Sequence, residues 1–368
     1  MAPLVANSAS DLPLELRFGL HRVREPQHVL PQAAWRLDNA PEPAPRAAPY
    51  ELLIDVERLN IDAASCRQME EAARTAGEEP HAGVARLIRE TIDKRGKMHN
   101  PVTGSGGMLL GRVHSIGDRL PEPHRGLRPG ERIATLVSLS LTPLHLDEIK
   151  AVHLHTHQVD VRGRAVLFAS GAWARLPDFV PENVALAALD VAGAGPQVSR
   201  LCARPAPGKE VRRLLVLGCG GKSGLIVAAA ARRAGVPLVV GVENQPGAAA
   251  DAESLGLFDR VLSADATDAL SLAEKVTAAG GGEYDLVVSC VSVARAEMAA
   301  ILPTRTGGTV YFFSMATSFT AAALGAEGVS KDIDMLVGNG YCTGHADETL
   351  ALLREHKGLR ELFIKRYA

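Results

Sequence analysis

Residues 212–235 read RRLLVLGCGGKSGLIVAAAARRAG, and their reading decides the fold. RRLLVLG is a short apolar run of the kind that forms a strand buried on both faces. GCGGKSG is a glycine-rich turn, and LIVAAAARRAG has the periodicity of an amphipathic helix. Matched to G-x-G-x-x-G, the turn is incomplete, because Ser223 occupies the third glycine position. Matched to G-x-x-G-x-x-G it is complete, with Gly218, Gly221 and Gly224 in place. In either case glycine lets the backbone turn tightly and approach a pyrophosphate resting on the positive N-terminus of the next helix. The GGKS run also invites a P-loop, but that motif needs glycine five residues before Gly221, where Val216 stands. Lys222 then lies beside dinucleotide phosphates or, equally well, in solvent at the helix start.

Downstream, VPLVVGVEN is a second strand, ending near Glu243, and DAESLG closes a second helix. RVLSADAT, ALSLAEKVTAAG, EYDLVVSCV, RAEMAAIL and GGTVYFFSM continue the alternation of strand and helix. Strands separated by helical segments imply α/β architecture, a doubly wound parallel sheet of Rossmann type. Glu243 is placed to accept hydrogen bonds from the adenosine ribose hydroxyls. A 2′-phosphate beside it would be repelled by roughly 4 kcal/mol at ~4 Å and an effective dielectric near 20. A third of that favours NAD about tenfold. NAD is therefore expected over NADP, with Asn244 and a nearby arginine as features that would admit NADP. Cys290 ends the fourth strand and Ser314 the fifth, at the carboxyl edge where ligands bind in such sheets. The competing explanation is that both are small residues filling space.

Upstream the texture is different. Six prolines between residues 24 and 49 mark an irregular, extended segment. YELLIDVERLNID alternates like a strand, and SCRQMEEAARTAG reads as a helix ending at Gly77. HNPVTGSGGMLLGRVHSIG at 99–117 is a glycine-rich loop running into a strand. GDRLPEPHRGLRPGERIATLV is a turn followed by another strand. AVLFASGAWARLP is strand-like, and PENVALAALDVAGAGPQVSRLC reads as one buried helix. HLHTH places His153, His155 and His157 on one face if it is a strand. That face is expected to be solvated rather than metal-binding.

The chain of 368 residues exceeds what one core usually spans, so two domains are expected. Apolar residues are 46%, charged residues 22% and the net charge is −2, which argues against a nucleic-acid groove. No apolar run is long enough to span a bilayer, and the N-terminus lacks a signal pattern. The five cysteines form no CxxC pair, so no disulfide framework or structural zinc site is expected. A cytoplasmic protein without a membrane partner fits best.

The order of a β-rich half followed by a Rossmann half resembles the medium-chain dehydrogenases/reductases, whose catalytic domain is GroES-like. GRVHSIGDRL at 111–120 and ERIATL at 131–136 are similar to that family's segments, and the turn's glycine spacing resembles its quinone-reductase branch. In zinc alcohol dehydrogenases a His-Glu pair stands where this chain has Gly107 and Met108. By the same resemblance the first zinc cysteine falls near Asp62 and the third near Asp190, and the structural-zinc cysteines are absent. Catalytic zinc needs three protein ligands and an open position, so a zinc-free site is expected.

MHNPVTGSGGMLLG at 98–111, ALAALDVAGA at 185–194 and LVLGCGGKSGL at 215–225 are similar, more closely, to the L-erythro-3,5-diaminohexanoate dehydrogenase family. The resemblance runs from about residue 50 to the C-terminus. It implies NAD-dependent oxidative deamination of that diamino acid to 5-amino-3-oxohexanoate in lysine fermentation. Acidic side chains in place of zinc thiolates suit a substrate carrying two ammonium groups. Asp190 or Asp62 is expected to act as base and the other to hold the second ammonium, unless Asp62 is only a turn residue or helix cap. Asp190, read as lying inside an apolar helix, needs a cationic partner. Asn100, Thr103 and Ser105 are expected to contact substrate, with Lys97 and His99 as alternative bases. The rival expectations are a zinc-free quinone or enoyl reductase using NADPH, and a dinucleotide-sensing protein without turnover. Tight NADPH binding without ammonium release marks the first; NAD binding without turnover marks the second. The expected limits are 1–187 for the catalytic domain and 188–345 for the Rossmann domain. A terminal helix at 346–368 is expected near the junction. Strand DIDMLVGNGY is the candidate edge for a homodimer.

Overall fold

The computed structural model describes residues 9–39, 47–203, 207–314, 316–338 and 340–368. Part of the proline-rich segment, residues 40–46, thus lies outside the described residues. Two compact units result. One runs through Asp178 and takes in Ala185–Asp190; the other comprises Phe179–Val184 and Val191–Ala368. The partition therefore does not follow a single cut at 187/188, since Phe179–Val184 group with the second unit and Ala185–Asp190 with the first.

The first unit is built on a six-stranded antiparallel sheet. Its strands are β1 (Glu51–Asn60), β2 (Met108–Ile116), β3 (Arg132–Thr135), β4 (Leu144–His153), β5 (Gln158–Phe168) and β6 (Trp173–Arg175). The order across the sheet is β4-β5-β1-β2-β3-β6. Helices α1 (Ala63–Thr75) and α2 (Pro80–Arg95) pack on it, and Val84, Ile88 and Ile92 enter the same core as Leu52, Ile54 and Leu59. The helix α2 is not expected from the sequence motifs. It is nonetheless well signalled: Glu79 caps its N-terminus, Pro80 opens it, and Gly96 closes it in a left-handed conformation.

HLHTH is not a strand face. β4 ends at His153, where the side chain pairs with Asp160 at 2.8 Å, and His157 turns the chain with φ +58°. His153 ends the strand while His155 and His157 lie in the hairpin turn, so the shared face does not form.

The second unit holds a six-stranded parallel sheet. Its strands are β7 (Arg213–Leu217), β8 (Leu238–Val242), β9 (Arg260–Leu262), β10 (Tyr284–Ser289), β11 (Thr304–Phe312) and β12 (Asp334–Val337). The order β9-β8-β7-β10-β11-β12 is the doubly wound order with its switch point between β7 and β10. Leu214, Leu215, Val216 and Leu217 are all fully buried, which is why β7 reads as a continuous apolar run. β12 is an edge strand.

PENVALAALDVAGAGPQVSRLC forms two helices, α3 (Glu182–Leu189) and α4 (Ala194–Ala203), with a turn at 190–193. The remaining α-helices of the second unit are α5 (Lys222–Arg233), α6 (Pro246–Ser254), α7 (Ala269–Gly280), α8 (Glu297–Ile301), α9 (Phe319–Gly328), α10 (His345–Glu355) and α11 (Lys357–Tyr367). The single expected terminal helix is thus two, parted at His356, whose side chain caps α11. Among the described residues no helix is long and apolar enough to cross a membrane.

Candidate active site

In the first unit the candidate residues lie around the end of β1. Asp62 is the N-cap of α1, and its Oδ1 accepts the Ser65 backbone N–H at 2.8 Å. The helix-cap explanation therefore holds for one oxygen. The other, Oδ2, is buried without a hydrogen-bond partner. A buried carboxylate oxygen without a donor is costly, and a cationic donor is the group that relieves the cost.

Asp190 does not lie inside a helix. α3 stops at Leu189, and Asp190 follows it, half-buried, with its N–H still bonded to Leu186 O at 2.9 Å. Its Oδ1 accepts from Asn60 Nδ2 at 3.4 Å, a long bond, while Asn60 Oδ1 accepts from Gln158 Nε2 at 3.3 Å. Asn60 and Asp62 are separated only by Ile61, so the two aspartates gather at one strand end. Asn60 and Gln158 escape sequence reasoning, because a polar residue at a strand end carries no motif.

Gly107 occupies the position that resemblance assigns to a zinc-site histidine. It has φ +80°, and a Cβ there would lie 2.0 Å from Asn60 O, so no side chain is admissible. Among the described residues no group of three or more His, Cys, Asp or Glu is placed to hold a metal ion. The donor set does not fit catalytic zinc.

The loop after α2 is held largely by itself. Asn100 is 1% exposed; its Oδ1 accepts from Val102 N at 2.8 Å and Thr103 N at 3.2 Å, and its Nδ2 donates to Gln68 at 3.0 Å. The Asn100 side chain thus shapes the loop. Thr103 is exposed, with Oγ1 2.5 Å from Ser65 Oγ, and it accepts from the half-buried Ser105 N at 3.3 Å. Lys97 is fully buried and donates to Pro31 O at 2.6 Å and Gln32 O at 3.1 Å, fastening the N-terminal segment. Burial, helped by the Arg95 charge, pushes its ammonium down to about 8. His99 keeps Nδ1 buried and unpartnered, and burial, with Lys97 and Arg95, holds the ring below its ordinary value.

In the second unit the glycine turn joins β7 to α5. Gly218 has φ +75°, and a Cβ on Gly224 would lie 2.3 Å from Gly218 O, so both are required by the turn itself. Gly221, the N-cap of α5, is exposed, with room for a Cβ and no side-chain cap. An open, uncapped helix start beside a strand end is a cradle for a dinucleotide pyrophosphate. Glu243 lies across the turn. Its Oε2 accepts from Gly220 N at 3.1 Å, and its Oε1 from Asn244 N at 3.0 Å and Gln245 N at 3.1 Å. A carboxylate has about four acceptor sites, so one remains for a ribose hydroxyl. The residues fit the cofactor. Lys222 opens α5, with its Nζ 5.8 Å from the Tyr367 ring centroid.

Cys290 follows β10, and its backbone lies 3.2 Å from where a Cβ on Gly218 would stand. Desolvation pushes its thiol up to about 12, which favours the protonated form. Ser314 Oγ accepts from Ala316 N at 3.1 Å. Arg366 also reaches the turn, donating to Gly220 O at 2.7 Å. No sequence motif marks it.

A Rossmann sheet joined to an antiparallel catalytic unit defines the medium-chain dehydrogenase/reductase class. Solved structures agree on the fold. An alcohol dehydrogenase from Thermotoga maritima matches at TM-score 0.52 and 15% identity, over 86% of this chain and 85% of that one. A mycobacterial protein solved with NADPH matches at TM-score 0.52 and 18% identity, over 88% and 84%. A zinc-binding dehydrogenase family model matches residues 224–338, all within the second unit. The model for the L-erythro-3,5-diaminohexanoate dehydrogenase N-terminal domain matches residues 21–177. Curated enzymes of that name from Acetoanaerobium sticklandii and Fusobacterium nucleatum are 47% and 46% identical over 354 residues, covering 95% of this chain and 98% of each relative. The chain belongs to the L-erythro-3,5-diaminohexanoate dehydrogenase family. It is an oxidoreductase, which sets aside the non-catalytic expectation.

Proposed function

We propose that the chain catalyses zinc-independent, NAD-dependent oxidative deamination of L-erythro-3,5-diaminohexanoate to 5-amino-3-oxohexanoate, the reaction of a lysine fermentation route. The single observation that carries this reading is near-complete coverage at 47% identity by a curated enzyme of that name, spanning both units. The overall change converts the C3 ammonium, one water and oxidised dinucleotide into ketone, ammonium ion, reduced dinucleotide and a proton.

When bound, the dinucleotide supplies the hydride acceptor. The chain's own residues must do the rest. Asp190 takes the proton from the C3 ammonium, releases it to solvent, and then activates the water that attacks the imine carbon, the work of a general base. Asp62 turns its unpartnered Oδ2 to the C5 ammonium. Asn60 keeps Asp190 at the strand end. Thr103 and Ser105 offer hydroxyls to the substrate's polar groups. Glu243 disfavours a 2′-phosphate and so selects NAD. Release of one ammonium per NADH formed from the diamino acid tests the proposal. Reduction of the dinucleotide without ammonium would overturn it.

A further inference from the structure

The glycine turn is gripped from both sides. Gly220 N donates to Glu243 Oε2 at 3.1 Å, and Gly220 O accepts from Arg366 Nη1 at 2.7 Å. Arg366 is itself held by Asp251 of α6, through Nη2 at 2.7 Å and Nε at 3.2 Å, with Lys365 3.5 Å from the other carboxylate oxygen. The next residue, Tyr367, lies against Lys222, the first residue of α5. Only 20% of the Arg366 side chain is exposed, so this is a packed contact rather than a loose surface pair. All of these residues belong to the second unit.

We propose that the last turn of α11 is a clamp on the dinucleotide cradle, with Arg366 as a positioning residue that fixes the Gly220 carbonyl and so presets the turn for the pyrophosphate. A turn held by only one peptide group can rotate that group; holding both N–H and C=O of Gly220 removes the freedom that binding would otherwise have to quench. Because coupling is reciprocal, bound dinucleotide must also tighten α11 on the turn. The inference rests on the turn being the dinucleotide cradle, and the test separates the two.

NAD binding to the full-length protein is measured by calorimetry for wild type, Arg366→Met and Arg366→Lys, with the Michaelis constant for the amine followed in parallel. Arg366→Met is expected to weaken NAD binding roughly tenfold while leaving the amine Michaelis constant unchanged, and Arg366→Lys to restore part of the loss. Wild-type affinity in Arg366→Met overturns the clamp. Absence of NAD binding to wild type overturns the cradle and the clamp with it. Should Arg366→Met fail to fold, hydrogen exchange on wild type decides. NAD slowing the amides of 357–367 supports the clamp, and unchanged exchange there refutes it.

Discussion

Asn60 donates its side-chain amide to Asp190 Oδ1 across 3.4 Å, tying the last residue of β1 to the first residue beyond α3. The bond is long for a hydrogen bond, and a substrate ammonium is a stronger donor to a carboxylate than the Asn60 amide. Asp190→Asn keeps the shape and removes the base. It is expected to lower kcat by about 10²-fold or more while shifting stability by no more than about 1 kcal/mol. Steady-state rates and thermal melts on the same sample check this. Wild-type turnover would remove Asp190 from the chemistry.

Glu243 spans the glycine turn and the start of the next loop through three backbone N–H groups. Glu243→Gln retains an acceptor and loses the charge. The ratio of NADP to NAD affinity is expected to rise about tenfold in this variant, measured as dissociation constants at fixed ionic strength. An unchanged ratio would mean that another group sets the preference.

Glu51 is buried and bonded to Arg22 through both oxygens, at 2.8 and 2.7 Å, and to His21 at 2.7 Å. Burial alone would raise its pKa, but the His21 and Arg22 bonds outweigh it and hold the carboxyl below the ordinary 4.5. The unfolded chain therefore binds the proton more readily. The stabilisation is fully present above pH 4.5 and is lost as pH falls through the lower folded value. Glu51→Gln removes the buried carboxylate that Arg22 pairs with and is expected to cost about 3–5 kcal/mol at neutral pH. Denaturant unfolding at pH 7 and below pH 4.5 compares the two proteins. The variant should also lose less stability on acidification than wild type.

Much of the second unit is legible from its residues. β7, the glycine turn and α5 read directly, because a strand buried on both faces is uniformly apolar and Gly218 and Gly224 are sterically required. The site in the first unit is less so. Asp62 and Asp190 stand out as acids in apolar surroundings, but the Asn60 contact joining β1 to the end of α3 depends on long-range packing that no local pattern encodes. Local propensity misleads in two places. The small apolar residues around Asp190 continue a helical pattern across a real break, and HLHTH alternates like a strand while forming a turn. Helix α2 was readable, since Val84, Ile88 and Ile92 make one stripe at helical spacing. Arg366 carried no local signal, because its partner Gly220 lies 146 residues away.

Two carboxylates serving an amine, where related enzymes hold zinc, is the claim on which the chemistry turns. Turnover of L-erythro-3,5-diaminohexanoate after exhaustive dialysis against a chelator, with zinc content determined on the same sample, tests it most directly. The rate should match the untreated enzyme at less than about a tenth of a zinc atom per chain, against the full site occupancy that a catalytic zinc demands. Loss of turnover on dialysis, restored by one equivalent of zinc, would contradict it.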